Sequence, residues 1–151
     1  MSFFNSKLRY GLCAAIDLAT QSPTAACQSR EIAARQQIPG PYLDQILAAL
    51  KSAGIVRSVR GAGGGYNLSR APDRIKVGDV VRALLRSDRL FAGHRLDEPP
   101  DLNAPGVQWV VRDFEEQVET MLETALDSAT LADLALRKQT IDDSLSLMQS
   151  I

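Results

Sequence analysis

Four of the chain's ten glycines fall within five positions, GAGGG at 61–65, with Arg57, Arg60 and Arg70 around them. Such a run can bring main-chain N–H groups close to phosphate oxygens, because no Cβ keeps the ligand away. It is not a nucleotide-binding loop. A P-loop needs Lys-Ser/Thr after its last glycine and a dinucleotide fingerprint needs a helix opening there, whereas Tyr66-Asn67-Leu68 reads on as a strand. A second segment, PGPYLDQ at 39–45, places Asp44 and Gln45, which can address base edges, at the start of an apolar-periodic stretch. The remaining reactive residues are Cys13, Cys27 and the single histidine, His94. They make no Ser/His/Asp constellation and no metal-ligand cluster, so catalysis is not expected.

The 151 residues suit one domain with an extension, and 45% hydrophobic with 23% charged residues is ordinary for a folded chain. No apolar run approaches the length of a membrane span, and MSFFNSKLRY lacks the apolar core of a secretory signal. Two cysteines without a CxxC make no disulfide framework; a cytoplasmic, reducing setting is expected. The formal charge of −1 conceals a division. Residues 1–86 hold twelve Lys/Arg against five Asp/Glu, and residues 87–151 hold five against thirteen. A basic half can hold a polyanion while the acidic half faces away.

The elements that position these residues follow from periodicity. Leu8, Leu12, Ala15, Ile16 and Ala19 mark an amphipathic helix over about 4–19. After the turn-like QSPTAACQS, Ser29 is expected to cap a short helix, REIAARQQ, with Glu31 in its first turn. Ile38-Pro39-Gly40-Pro41 breaks the chain, and Pro41 suits the first turn of a helix carrying Leu43, Ile46, Leu47 and Leu50 on one face. Gly54 closes it. The segments 55–60 and 66–70 predict two strands joined by the glycine tip, and a further helix is expected over 77–85. Residues 88–106, with three of the seven prolines, read as a loop. Val107, Val111, Phe114, Val118, Met121 and Ala125 then recur at spacings of 4, 3, 4, 3 and 4, an a/d seam with an acidic outer face. Thr130 and Asp133 predict a capping box for a short helix, TLADLALR; the tail beyond is open between a last helix and a frayed end.

Short helix, tight break, second helix and glycine-tipped hairpin is the order of a winged helix-turn-helix. Its second helix fits a major groove about 12 Å wide, and the hairpin forms the wing. The same arrangement also serves adaptors that bind a protein partner in place of DNA. Salt dependence separates the two, since only DNA binding weakens steeply with salt.

The stretch YLDQILAALKSAGIVRSVRGAGGGYNLSR, followed by IKVGDVVRAL, resembles the Rrf-two family of bacterial winged-helix transcription regulators. SKLRYGLCAAIDLA and REIAARQQIP are similar to that family's first two helices, and the match covers about residues 5–86. The long seam and the TLADLA helix are similar to its second half. The resemblance implies a homodimeric repressor that reads a pseudo-palindromic operator in double-stranded DNA. It implies base or groove contacts from Pro39, Gly40, Asp44, Gln45, Ser58, Arg60 and Gly61, close main-chain approach at Gly63 and Gly64, and a phosphate contact from Lys7. Asp44 stands where members often have Glu, and Pro39 and Pro41 replace residues that in some members offer hydroxyls. Tyr42 and Tyr66 are expected to pack the domain.

Cluster-binding members carry three cysteines in the segment corresponding to 88–106, and this chain has none there. Neither an iron–sulfur cluster nor structural zinc is therefore expected, and no cofactor is assigned. Cys13, in GLCAAI, is expected in the core, and Cys27 is expected to be exposed, where oxidation would act as a switch beside a nearby arginine. A small molecule in the groove between the dimer helix and the winged domain, or a protein effector, are the other signals left open. The expected fold is mainly α with a small β-hairpin wing: a winged helix-turn-helix domain at 1–86, a linker at 87–106, and a dimerisation helix with a helical tail at 107–151.

Overall fold

The computed structural model describes residues 4–86 and 101–151. They form helices α1 (Ser6–Thr20), α2 (Ser29–Gln36) and α3 (Gly40–Ser52), a hairpin of β1 (Val56–Val59) and β2 (Gly65–Leu68), a single 3-10 turn (Pro72–Arg74), and helices α4 (Val77–Leu85), α5 (Gly106–Asp127) and α6 (Leu131–Gln149). The fold is mainly α with a two-stranded wing, as its residues predict. No helix among the described residues is long and apolar enough to cross a membrane.

α1 is capped by Asn5, whose side chain accepts the Leu8 N–H at 2.9 Å. Its buried face runs through Leu8, Gly11, Ala14, Ala15 and Leu18, while Leu12, Ile16 and Ala19 are half-buried. The stripe is rotated from the expected one because α2, α3, α4 and α6 all pack on this helix. Gly11 lets α4 cross closely, since a Cβ there would run into the δ-carbons of Leu84.

The N-cap of α2 is Gln28, one residue before the expected Ser29. The Glu31 carboxylate accepts the Gln28 N–H at 2.9 Å, so the reciprocal bond fixes the start without a hydroxyl. α2 ends on Gln37 in the left-handed region (φ 54°), the Ile38 N–H returns to the Ala33 carbonyl at 3.0 Å, and Ile38 is buried. That is a Schellman-like stop with glutamine in the usual glycine place. In α3, Leu43, Ile46, Leu47 and Leu50 are buried as their spacing predicts, and Gly54 (φ 74°) follows the helix end.

The strands pair antiparallel, with Val56 opposite Leu68 and Val59 opposite Gly65. A third segment extends the hairpin. Cys27 donates its N–H to the Tyr66 carbonyl at 3.0 Å and accepts the Tyr66 N–H at 2.7 Å. Gly65 (φ 145°) permits this approach, because a Cβ there would collide with the Cys27 carbonyl.

The α5–α6 turn is fastened to the winged part through backbone. Val77 donates to Ala129 and Leu131 donates to Ile75, both at 2.9 Å. Leu126 and Leu131 join the same hydrophobic core as α1, α3 and α4. Thr130 and Asp133 form the expected capping box. The helix it starts is longer than TLADLALR, running unbroken to Gln149. Residues 138–149 contain neither glycine nor proline, and Lys138 pairs with Asp142 one turn on.

Candidate nucleic-acid interface

α2 and α3 are held in position by an ion pair from α1. Asp17 is almost fully buried, at 2% exposure, and accepts from Arg35 Nε and Nη2 and from Gln36 Nε2 at 2.8–2.9 Å. This pairing keeps the Arg35 guanidinium above its ordinary pKa, chiefly through the bond to Asp17, with a smaller contribution from Cys27. A charge inside the run from Leu12 to Leu18 was the only sign of this lock; its partners, 18 and 19 residues away, carry none.

With α2 fixed, the start of α3 is presented outward. Pro39, Gly40, Asp44 and Gln45 are all exposed, and no side chain caps the helix. Pro41 has no N–H and Leu43 donates to the Pro39 carbonyl, so the N–H groups of Gly40 and Tyr42, with the helix dipole, are available to an anion. Tyr10 and Tyr42 stack edge-on with centroids 5.5 Å apart, which sets the second turn of α1 beside the first turn of α3. Lys7 lies one turn before Tyr10 and is half-buried. Tyr42 and Tyr66 both pack against the core, as expected.

The wing carries Arg57, Ser58 and Arg60 on its exposed surface. Its tip is a turn closed by the Gly64 N–H on the Gly61 carbonyl at 3.0 Å, and Gly61 takes φ 106°. Gly61 and Gly63 are exposed, and a Cβ at Gly63 would meet nothing. Gly64 differs. It is buried beneath the tip, where a Cβ would strike the Val59 carbonyl, so it shapes the turn and does not face outward. Arg70 also departs from the expected flank of the tip. It donates to the carbonyls of Arg74 and Gly54 at 3.0 and 3.3 Å and lies 3.5 Å from Asp79, tying the hairpin base to α4.

Cys13 packs against the core as expected, but Cys27 is not exposed. Cys27 is buried at 6% exposure, because its backbone pairs with β2, and Cys13 is only half-buried. Neither is disulfide-bonded. His94 and most of the 87–106 segment lie outside the described residues.

Along α5, Val107, Val111, Phe114, Val118, Met121 and Ala125 are exposed, Val107 and Met121 at 72%. Val110 widens this stripe. An adjoining side at the C-terminal end of α5, through Leu122 and Leu126, meets the winged part, where Arg82 of α4 bonds Asp127 at 2.6 Å. Neither the Arg82–Asp127 latch nor the Gly65–Cys27 contact has a signature in local spacing.

The Rrf2 family model, described as an iron-dependent transcriptional regulator, matches residues 4–137. CymR of Bacillus subtilis, an HTH-type transcriptional regulator, is 36% identical over 87% of this chain and 88% of its own. Among solved structures, IscR of T. potens superposes with a TM-score of 0.70 at 37% identity, covering 89% of this chain and 87% of that one. The structure of CymR, the global cysteine regulator of B. subtilis, gives 0.70 at 31% identity over 91% and 98%. Among the described residues, the donors are a poor match to iron. A cluster takes thiolates, yet Cys13 sits on α1 and Cys27 is buried in the core, and no group of three or more His, Cys, Asp or Glu among the described residues is placed to hold a metal ion. The winged helix-turn-helix, the hairpin and the extent of the match agree: the chain belongs to the Rrf2 family and is a DNA-binding transcription regulator, not an enzyme.

Proposed function

We propose that the chain is a homodimeric repressor that occupies a pseudo-palindromic operator. The observation that carries this reading is the joint exposure of the uncapped start of α3 and a wing whose Arg57 and Arg60 have no ion-pair partner among the described residues. Asp44 and Gln45 enter a major groove and address base edges, Asp44 as an acceptor for a cytosine amino group. Arg60, on the wing, reads an adjacent groove. Lys7, the first N–H groups of α3 and the open main chain at Gly61 and Gly63 hold phosphates and set the register. Pro39 and Gly40 shape the entry of α3.

The exposed seam of α5 pairs with the same seam of a second copy, which places two recognition helices on successive major grooves. An apolar stripe of this length, exposed along α5, would otherwise face water. The unit at 1–86 thus reads DNA and the unit at 107–151 sets the spacing. Burial of Cys27 argues against its thiol as a freely accessible sensor, and Cys13, a ligand or a protein effector remains as the source of the signal.

The test is titration of a fluorescent duplex, selected from the gene's own upstream region, at several salt concentrations. Affinity should fall linearly on a log–log scale, with a slope near one per neutralised phosphate. Arg60→Ala should lose about 1–3 kcal/mol on the selected site and far less on random DNA. Binding insensitive to salt, or an unchanged Arg60→Ala, would refute this assignment and favour a protein partner.

A further inference from the structure

A groove of about 480 Å³ lies between the C-terminal half of α3 and α4, away from the start of α3. Its floor is built from short or apolar side chains, Ala49 and Ile55 among them, and its walls carry three arginines, Arg70, Arg82 and Arg86. Among the described residues that line it, Asp79 is the one carboxylate. Asp79 is shared between Arg70 at 3.5 Å and Arg82 at 3.6 Å, both at or beyond the limit of a good hydrogen bond. Arg86 has no hydrogen-bond or ion-pair partner among the described residues. It also holds a left-handed backbone (φ 55°) at the end of α4, a conformation that costs a branched or long residue more than glycine. Asp79 also accepts the Lys76 N–H at 3.0 Å and Arg82 is neutralised by Asp127, so the three guanidinium groups face two carboxylates and Arg86 supplies the remaining positive charge and the free donors.

We propose that this groove binds a small organic anion, carrying two or more carboxylate or phosphate groups on a short carbon skeleton. The planar, forked guanidinium suits bidentate recognition of either group, and the volume fits a metabolite-sized ligand. The anion replaces Asp79 as the partner of Arg70 and Arg82 and recruits Arg86. Arg82 is also the residue that latches α4 to Asp127 in the last turn of α5. The other Asp127 oxygen is buried without a partner, so the latch depends on this one guanidinium. Drawing Arg82 into the groove therefore loosens the foot of the helix that carries the dimer seam. Binding stands on the groove alone; only its consequence for operator affinity rests on the regulator reading.

The test is calorimetry and thermal unfolding of the full chain without DNA, with citrate and inorganic phosphate as probes and sodium chloride at matched ionic strength as control. Citrate should give a saturable heat and a rise in Tm that chloride does not reproduce. Arg86→Gln should weaken citrate at least tenfold with the unfolding temperature in chloride unchanged. Ser52→Glu, which sets a like charge on the exposed last turn of α3, should do the same. An equal effect of chloride, or citrate binding undiminished in both variants, overturns the site. Arg86→Gln should also bind the selected operator like the parent when no polyanion is present. Loss of that affinity would place Arg86 on DNA and overturn the proposal as well.

Discussion

Arg35 grips both carboxylate oxygens of Asp17, through Nε at 2.9 Å and Nη2 at 2.8 Å, and the two ends of this pair live in different surroundings. The Asp17 side chain is 2% exposed and that of Arg35 is 39% exposed. The pair joins the last turn of α1 to the last turn of α2, so it holds the first helix of the helix-turn-helix against the body.

That asymmetry sets the order of two substitutions. Removing Arg35 leaves a carboxylate stranded in the interior with only Gln36 as donor, which costs about 3 kcal/mol. Removing the charge with Asp17→Asn frees a guanidinium that already reaches water, and should cost about half as much. Urea denaturation of Arg35→Ala and Asp17→Asn should therefore rank Arg35→Ala as the less stable. The reverse order would mean that the pair is organised around the arginine.

The wing offers a comparison that separates folding from DNA contact. A Cβ at Gly65 would meet the Cys27 carbonyl, and one at Gly63 would meet open space. Gly65→Ala should lower stability by about 1–3 kcal/mol, because the bridge to β2 must open and φ of 145° suits only glycine. Gly63→Ala should fold with the parent's Tm yet bind operator several-fold more weakly, since the added methyl keeps phosphates from the main chain. A Gly63→Ala protein with full operator affinity would remove the tip from the interface.

These contrasts also mark what the residues announce and what they withhold. The stripe of Leu43, Ile46, Leu47 and Leu50, the glycine tip, the boundaries of α4 and the Thr130–Asp133 cap are local patterns, and each is read from a few neighbours. The exposure of Asp44, Gln45 and Arg60 follows from them. Long-range contacts are different. Cys27 looks like a surface loop residue in QSPTAACQS, but its burial comes from pairing with Tyr66, 39 positions away. Arg70 looks like part of the wing by position and is spent on α4 by geometry. The rotated face of α1 has the same origin, because four helices pack on it and a single-stripe pattern assumes one contact face.

The seam on α5 makes its own prediction. Phe114 is 63% exposed in the single chain, so Phe114→Glu removes no intrachain packing of consequence and places a charge in the middle of the stripe. Sedimentation should show a dimer for the parent and a monomer for the variant, with unchanged helical signal in circular dichroism. Operator affinity should fall by more than tenfold, since each half-site is then bound alone. A variant that remains dimeric would move the interface off this face.

The cap of α6 gives a dependence on pH whose sign is fixed. The Asp133 carboxylate accepts the Thr130 N–H at 2.9 Å, and Thr130 Oγ1 accepts the Asp133 N–H at 3.2 Å. The Thr130 backbone N–H, then its hydroxyl and the charge of Arg137, act on the carboxylate and hold the Asp133 pKa below the usual aspartate range. A group whose folded pKa is depressed stabilises the fold above its unfolded pKa of about 3.9, and that contribution disappears as pH falls through the folded value. Asp133→Ala should thus be less stable than the parent by a constant margin between pH 8 and about pH 5. The margin should then narrow below about pH 4, as the parent's carboxylate takes up its proton. Thermal unfolding across that range measures it directly. Thr130 also lies opposite Lys76 where the α5–α6 turn meets the winged part, so the variant should lose backbone protection at Val77 and Leu131 in hydrogen exchange before the rest of the core. A margin unchanged at pH 3 would mean that the Asp133 charge is not what holds this corner.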